Sequence, residues 1–208
     1  PQIPLFPSKL IYSKLYSFDM KTNDVVITEA KRTAVGSLGK SLKNIQSFEL
    51  GATVIKQFFN NSSLKENDID EVILGQVLTA GLGQNPARQA AINSGIPKEK
   101  PAYIVNQVCG SGIRSIVSGL QSIKSNNSKI IIAGGQENMS LAPHAIHLRD
   151  GKKLGDTELL DTMIRDGLWD AFHDYHMGVT AENVAEKFQI TRDEQDKFAL
   201  KSQKKALS

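Results

Sequence analysis

The residue best suited to covalent chemistry is Cys109, the only cysteine among 208 residues. It lies in Val105-Asn106-Gln107-Val108-Cys109-Gly110-Ser111-Gly112-Ile113-Arg114, between a strand-like run and a helix-like one. Gly110 and Gly112 leave the backbone around the turn open to close approach. The first residues of a following helix offer N–H groups without intrahelical partners. Such donors stabilise a thiolate and the oxyanion of an attacked carbonyl. A thiolate held there can accept an acyl group and pass it on, splitting one transfer into two steps. A buried cysteine filling space beside a glycine turn fits the local pattern equally well.

The four histidines form two pairs, His144 with His147 and His173 with His176. A spacing of three can place two rings on one helical face. A zinc site needs a third ligand and preferably an H-E-x-x-H context, which the chain lacks, so no metal is expected. His176, in Tyr175-His176-Met177-Gly178, could line a mixed polar and apolar pocket or sit as an ordinary surface or core residue. Gly134-Gly135 suggests a tight crossing near the cysteine segment, without the G-x-G-x-x-G of a dinucleotide site. Gly81-Leu82-Gly83-Gln84-Asn85-Pro86 lacks the G-K-[ST] ending of a Walker loop. Met163 and Trp169 read most simply as packing residues.

The elements that must carry Cys109 follow from periodicity. Val25–Thr28 reads as a first short strand. Residues 47–59 repeat apolar side chains at helical spacing, with Leu50, Val54 and Phe58 on one stripe. Val72–Leu74 reads as a buried strand stopping at Gly75, and residues 85–92 as a helix capped by Asn85 with Pro86 in its first turn. A third strand, 103–108, leads into Cys109. A helix then carries Ile113, Ile116, Val117, Leu120 and Ile123, and residues 129–133 form a further apolar strand. This alternation predicts a layered α/β core over 25–137 with mostly parallel central strands.

Clean periodicity is lost from Asn138, which predicts a loop and helical lobe over 138–208. Within it a helix is expected over Thr180–Phe188. Thr191-Arg192-Asp193-Glu194 has capping-box spacing for another helix through Leu207. The last helix reaches the chain end with no closing structure, so the chain reads as part of a larger design.

Composition narrows the class. Apolar residues make up 40% and charged residues 23%, ordinary for a globular protein. A net charge of +3, from 25 basic and 22 acidic residues, with dispersed lysines, does not point to nucleic acid. A single cysteine excludes an internal disulfide framework. No apolar stretch approaches the roughly 20 residues that cross a bilayer. Residues 1–24 read as a poorly structured extension, with three prolines in the first seven positions. They are acid-poor and mildly basic, which leaves an organellar, mitochondrial presequence as the alternative to a cytoplasmic protein.

Taken together, the strings resemble the amino-terminal part of a thiolase of the acetyl-CoA acetyltransferase type. They are residues 29–36 (Glu29-Ala30-Lys31-Arg32-Thr33-Ala34-Val35-Gly36), 72–78, 83–90, Asn106–Gly112, Ala133–Ser140, Tyr175–Gly178 and Thr180–Ala185. The resemblance implies two similar α/β domains in the complete enzyme, with a loop lobe inserted in the first and the second absent from these residues. It implies a reaction of coenzyme A thioesters, in which two acetyl-CoA give acetoacetyl-CoA and free coenzyme A, reversibly. No tightly bound cofactor is implied, coenzyme A being carried by the substrate. Cys109 would be the acyl-thioester nucleophile. His176 and Met177 would border the pantetheine channel, with Leu168 nearer the nucleotide end. The lobe would serve coenzyme A contact and assembly into a dimer or tetramer.

The departures bear on activity. Family members carry a Gly-His-Pro histidine that activates the nucleophile, an Asn-Glu-Ala-Phe segment that helps bind the thioester oxygen, and a second, acid–base cysteine. None occurs here. Gln136 and Asn138 stand where Met and Ser are commoner. Two functional readings follow: a piece of a working acetyltransferase, or a truncated or split thiolase remnant without its own turnover. A 3-ketoacyl synthase-like condensing enzyme is a third, disfavoured by the Gly-Gln-Asn-Pro-Ala-Arg-Gln and His-Met-Gly strings.

Overall fold

Asp70 marks how the central sheet is assembled. Its Oδ2 accepts the backbone N–H groups of Lys129 and Ile130, at 2.7 and 3.0 Å, so the strand that follows each segment starts in register. The computed structural model describes residues 24–60 and 62–207. β1 (Glu71–Gly75) is the middle strand, flanked by β2 (Ala102–Val105) and β3 (Ile131–Gly135), and both pairings are parallel. Val72, Leu74 and Ile132 turn to one face, where they meet α1 (Ser47–Asn60) and α2 (Pro86–Asn93) through Ile55, Ala87, Ala90 and Ala91. Ile73, fully buried, turns to the other face under α3 (Ser111–Lys124). Parallel strands covered by helices on both faces are the expected layered α/β arrangement.

Local rules account for the helix starts. Asn85 accepts the Arg88 N–H at 3.1 Å with Pro86 in the first turn, as its residue types predict. α1 and α2 lie where periodicity puts them. Val25–Thr28 corrects the expectation of a first strand: among the described residues it joins no ladder, and Val26 and Ile27 are exposed. A short β-branched run becomes a strand only where an edge receives it.

The chain forms two compact units, dividing between Thr162 and Met163. The loss of periodicity at Asn138 falls earlier, because residues 138–162 remain fastened within the first unit. Asn138 Nδ2 donates to the carbonyls of Leu42 and Ile45, Ser140 Oγ accepts from Gly39 N, and Thr162 Oγ1 donates to the Pro143 carbonyl. A two-residue ladder, β4 (His144–Ala145) with β5 (Leu160–Asp161), closes this segment.

The second unit holds a hairpin of β6 (Trp169–Asp170) and β7 (Tyr175–His176), then α4 (Met177–Lys187) and α5 (Arg192–Leu207). α4 starts three residues before the Thr180 start that the sequence suggests, since His176 caps it. Its Nδ1 accepts the Gly178 N–H at 2.9 Å. α5 begins with the anticipated capping box: Glu194 Oε2 accepts Thr191 N at 2.8 Å and Thr191 Oγ1 accepts Glu194 N at 3.3 Å. The poorly structured extension expected over residues 1–24 falls on residues of which 1–23 lie outside the described ones.

Candidate functional site

Cys109 is an exposed free thiol between β2 and α3. The strand ends at Val105, three residues short of the sequence expectation, because Asn106 redirects the chain. Its Oδ1 accepts the Val108 N–H at 2.9 Å, and its Nδ2 reaches the Val77 carbonyl at 3.4 Å. Val108 then takes φ +48°, a left-handed conformation that a β-branched residue rarely adopts. This bend carries the chain straight into α3, with Gly110 at its N-cap. Ser111 fastens the turn: its Oγ donates to the Val108 carbonyl at 2.6 Å and accepts the Gln107 N–H at 2.8 Å. The thiol therefore stands at the mouth of a 14-residue helix, on a bend that its neighbours hold.

The turn can sit so close to the sheet only because Gly75 ends β1. A Cβ there would lie 2.4 Å from the Ser111 carbonyl carbon and 2.6 Å from the Gly112 nitrogen. Gly135 makes the expected close crossing, 3.6 Å from the Gly112 Cα measured from its own would-be Cβ. Beneath these strand ends Gln136 Nε2 donates to Gln76 Oε1, and Gln76 Nε2 donates to Ser47 Oγ and the Leu78 carbonyl, all at 2.9 Å. Beside them the half-buried Glu137 carboxylate accepts Val77 N at 2.8 Å and Leu78 N at 3.3 Å. Burial pushes its pKa up, against those two hydrogen bonds, which pull it down.

α3 faces the sheet with small residues. Ser111, Ser115 and Gly119 are buried, whereas Ile113, Ile116 and Leu120 are exposed, Ile113 by 72%. The apolar stripe read from the sequence is real, but it turns away from this unit's own core. Its spacing of three and four residues suits packing against another apolar surface.

The other expected site residues lie in the second unit. Trp169 and His176 are register partners, so Leu168, just before Trp169, and Met177, just after His176, stand at the same end of the hairpin. Leu168 is half-buried, and His176 and Met177 are exposed. The hairpin loop is ordered by Asp170, whose Oδ1 accepts the N–H groups of Phe172 and His173 and whose Oδ2 meets His173 Nδ1 at 3.1 Å. Those contacts, the Phe172 N–H first, hold the Asp170 carboxyl below its ordinary range. Trp169 Nε1 donates to Asp174 Oδ1 at 2.9 Å, a polar role that packing alone does not describe. Neither histidine pair lies on a helix face, and among the described residues no group of three or more His, Cys, Asp or Glu could hold a metal. Sequence reasoning missed Val108, Gly75 and Glu137. Only Asn106, an Asx residue two positions before Val108, offered a local signal.

Comparison with known proteins matches this architecture. Residues 25–208 match the family model described as Thiolase, N-terminal domain. The acetyl-CoA acetyltransferase of Rhizobium meliloti is 56% identical over 187 residues, covering 90% of this chain and 48% of that protein. The cytosolic acetyl-CoA acetyltransferase of Rattus norvegicus is 49% identical over 185 residues, covering 89% and 47%. The crystal structure of the Bacillus anthracis acetyl-CoA acetyltransferase superposes with a TM-score of 0.75 at 37% identity, over 79% of this chain and 42% of that one. The chain thus spans about half the length of the curated relatives it matches. With the parallel sheet, the strand–turn–helix around Cys109 and a family match from residue 25 onward, the chain belongs to the thiolase family, as its N-terminal domain.

Proposed function

We propose that these residues are the acyl-accepting half of a thiolase-type acetyl-CoA acetyltransferase and that they do not turn over alone. The observation that carries this reading is the exposed Cys109 on a fixed bend at the N-terminus of α3, inside the residues that match the family. In the first step the Cys109 thiolate adds to the thioester carbonyl of acetyl-CoA. Collapse of the adduct breaks the carbon–sulfur bond to coenzyme A, which leaves as its thiol after taking the proton that Cys109 gave up. The enzyme is left as an acetyl-cysteine thioester. Helix N–H groups at the turn can receive the transient oxyanion.

The second step needs a base to form the attacking carbon of another acetyl-CoA, and these 208 residues hold neither a second cysteine nor a Gly-His-Pro histidine. Loss of such positioned proton transfer slows catalysis by orders of magnitude. The uncovered stripe of Ile113, Ile116 and Leu120 supports dependence on the second half that the relatives carry. Leu168, His176 and Met177, gathered at one end of the β6–β7 hairpin, form the coenzyme A-binding edge in this reading. The lobe over 138–208 contributes to coenzyme A contact and to a homo-oligomer of the complete enzyme. A cytoplasmic setting fits the cytosolic rat relative.

The test is to incubate the purified chain with acetyl-CoA and record its intact mass. An acetyl adduct is expected, absent in Cys109→Ala, without sustained release of acetoacetyl-CoA. Folded protein that gains no adduct would remove the acyl-accepting role.

A further inference from the structure

Glu137 is connected to the strained residue before Cys109 by an unbroken series of hydrogen bonds. Its Oε2 accepts the Val77 N–H at 2.8 Å. The Val77 carbonyl accepts from Asn106 Nδ2 at 3.4 Å, the longest link, and Asn106 Oδ1 accepts the Val108 N–H at 2.9 Å. The Val108 carbonyl in turn accepts from Ser111 N and Oγ, at 3.1 and 2.6 Å. The orientation of the Asn106 amide is set by its surroundings, since only its oxygen can receive the Val108 N–H. Each link joins a different element: the turn after β3, the turn after β1, and the bend after β2.

Two features of this series are unfavourable by themselves. Among the described residues Glu137 Oε1 is buried without a hydrogen-bond partner, an unfavourable placement for a carboxylate that a shorter or apolar residue would avoid. Val108 at φ +48° is equally unfavourable and persists only where its surroundings over-determine it. The carboxylate anchors the turn at Val77, and that turn presents the carbonyl on which Asn106 is braced. We propose that Glu137 is a positioning residue for Cys109, acting through Val77 and Asn106 to hold Val108 left-handed and so keep the thiol at the start of α3. This rests on Cys109 being the acyl acceptor, and it assigns a further residue to that site.

Because Cys109 is the only cysteine, its alkylation by iodoacetamide reports the bend without any need for acetyl-CoA. Glu137→Ala is expected to slow alkylation at fixed pH about tenfold, because the thiol no longer keeps its exposed place at the start of α3. Asn106→Ala, at an exposed position, should reproduce the loss. Glu137→Gln, which keeps an acceptor oxygen, should stay within about threefold of the parent. Val108→Gly is the decisive background, because glycine adopts the left-handed conformation without strain. In it, neither Glu137→Ala nor Asn106→Ala should change the rate by more than about twofold. If Glu137→Ala or Asn106→Ala leaves alkylation unchanged, or if both losses persist undiminished in Val108→Gly, the proposal is overturned. Should Glu137→Ala fail to fold, Glu137→Asp, one methylene shorter toward the Val77 N–H, takes its place in both backgrounds. An intact alkylation pattern with no acetyl adduct would reject the acyl-accepting reading and leave this bracing in place.

Discussion

The two units are stabilised in different ways. In the first, Val72, Ile73, Ala87, Ala90 and Ala91 are fully buried, and α1, α2 and α3 cover both faces of one sheet. In the second, every described residue from Met163 to Leu207 is exposed or half-buried. Its order comes from neighbours in sequence: the Asp170 loop, the His176 cap, the Thr191–Glu194 box, and the ion pairs Arg192–Asp196 and Lys197–Asp193 along α5. Exposed pairs of that kind contribute only about 0.3–0.5 kcal/mol each. Helices of this length are marginal in water without a packed face. A core holds the strained Val108 next to Cys109, whereas the residues expected to meet coenzyme A lie where local bonds dominate.

The largest test of this contrast is Gly75→Ala. A methyl 2.4 Å from the Ser111 carbonyl carbon meets backbone that cannot turn aside, so about 3 kcal/mol of stability should be lost. The urea midpoint of the first unit should fall, with amide exchange in α5 unchanged. Next in size is Thr191→Ala, which removes the Oγ1 partner of Glu194 and should loosen α5 by about 1 kcal/mol. Its effect belongs in exchange rates across Arg192–Leu207. A matching shift in the first unit's urea midpoint would show that the two regions unfold together and would break the comparison.

The smallest effect concerns pH, and it has opposite signs in the two units. Burial raises the Glu137 pKa, so the folded state holds that proton more tightly than the unfolded chain does. Its contribution to stability therefore falls as pH rises from the ordinary 4.5 through its own higher value. Glu194 is lowered, first by the Thr191 N–H and then by its hydroxyl. Its contribution is present above the ordinary value and lost as pH falls through its folded value. Amide exchange in α5, corrected for intrinsic rates, should show the second trend. The gap in urea midpoint between the parent and Glu137→Gln should show the first. Equal signs would count against the contrast.

Much of the frame was legible because it depends on neighbouring residues. Asn85-Pro86, the Thr191–Glu194 box and the apolar runs before Gly75, Asn106 and Gly134 each specify their element within a few positions. Cys109 was singled out as a candidate by its own glycine-flanked turn, whereas Leu168, His176 and Met177 were proposed only through the family strings. Val25–Thr28 shows the limit: its β-branched residues favour a strand, yet a strand also needs a free edge, which no local pattern reports. His176 shows another, since a ring nitrogen can cap a helix as Ser or Asn does, and that use moved the start of α4.

By itself the sequence determined the helices and the three strands of the central sheet to within a few residues, the family, and the identity of the sole thiol, because these follow from residue type and spacing along the chain. The tertiary structure decided what surrounds that thiol. It turned Ser111, Ser115 and Gly119 of α3 inward and its isoleucines outward, because Gly75 lets the helix approach the sheet only along a face of small residues. It set Val108 left-handed and brought Glu137, Val77 and Asn106 together across sequence separations of 60 and 29 residues. Contacts over such distances depend on how the strands close upon one another, a property of the packed sheet rather than of any one stretch of the chain.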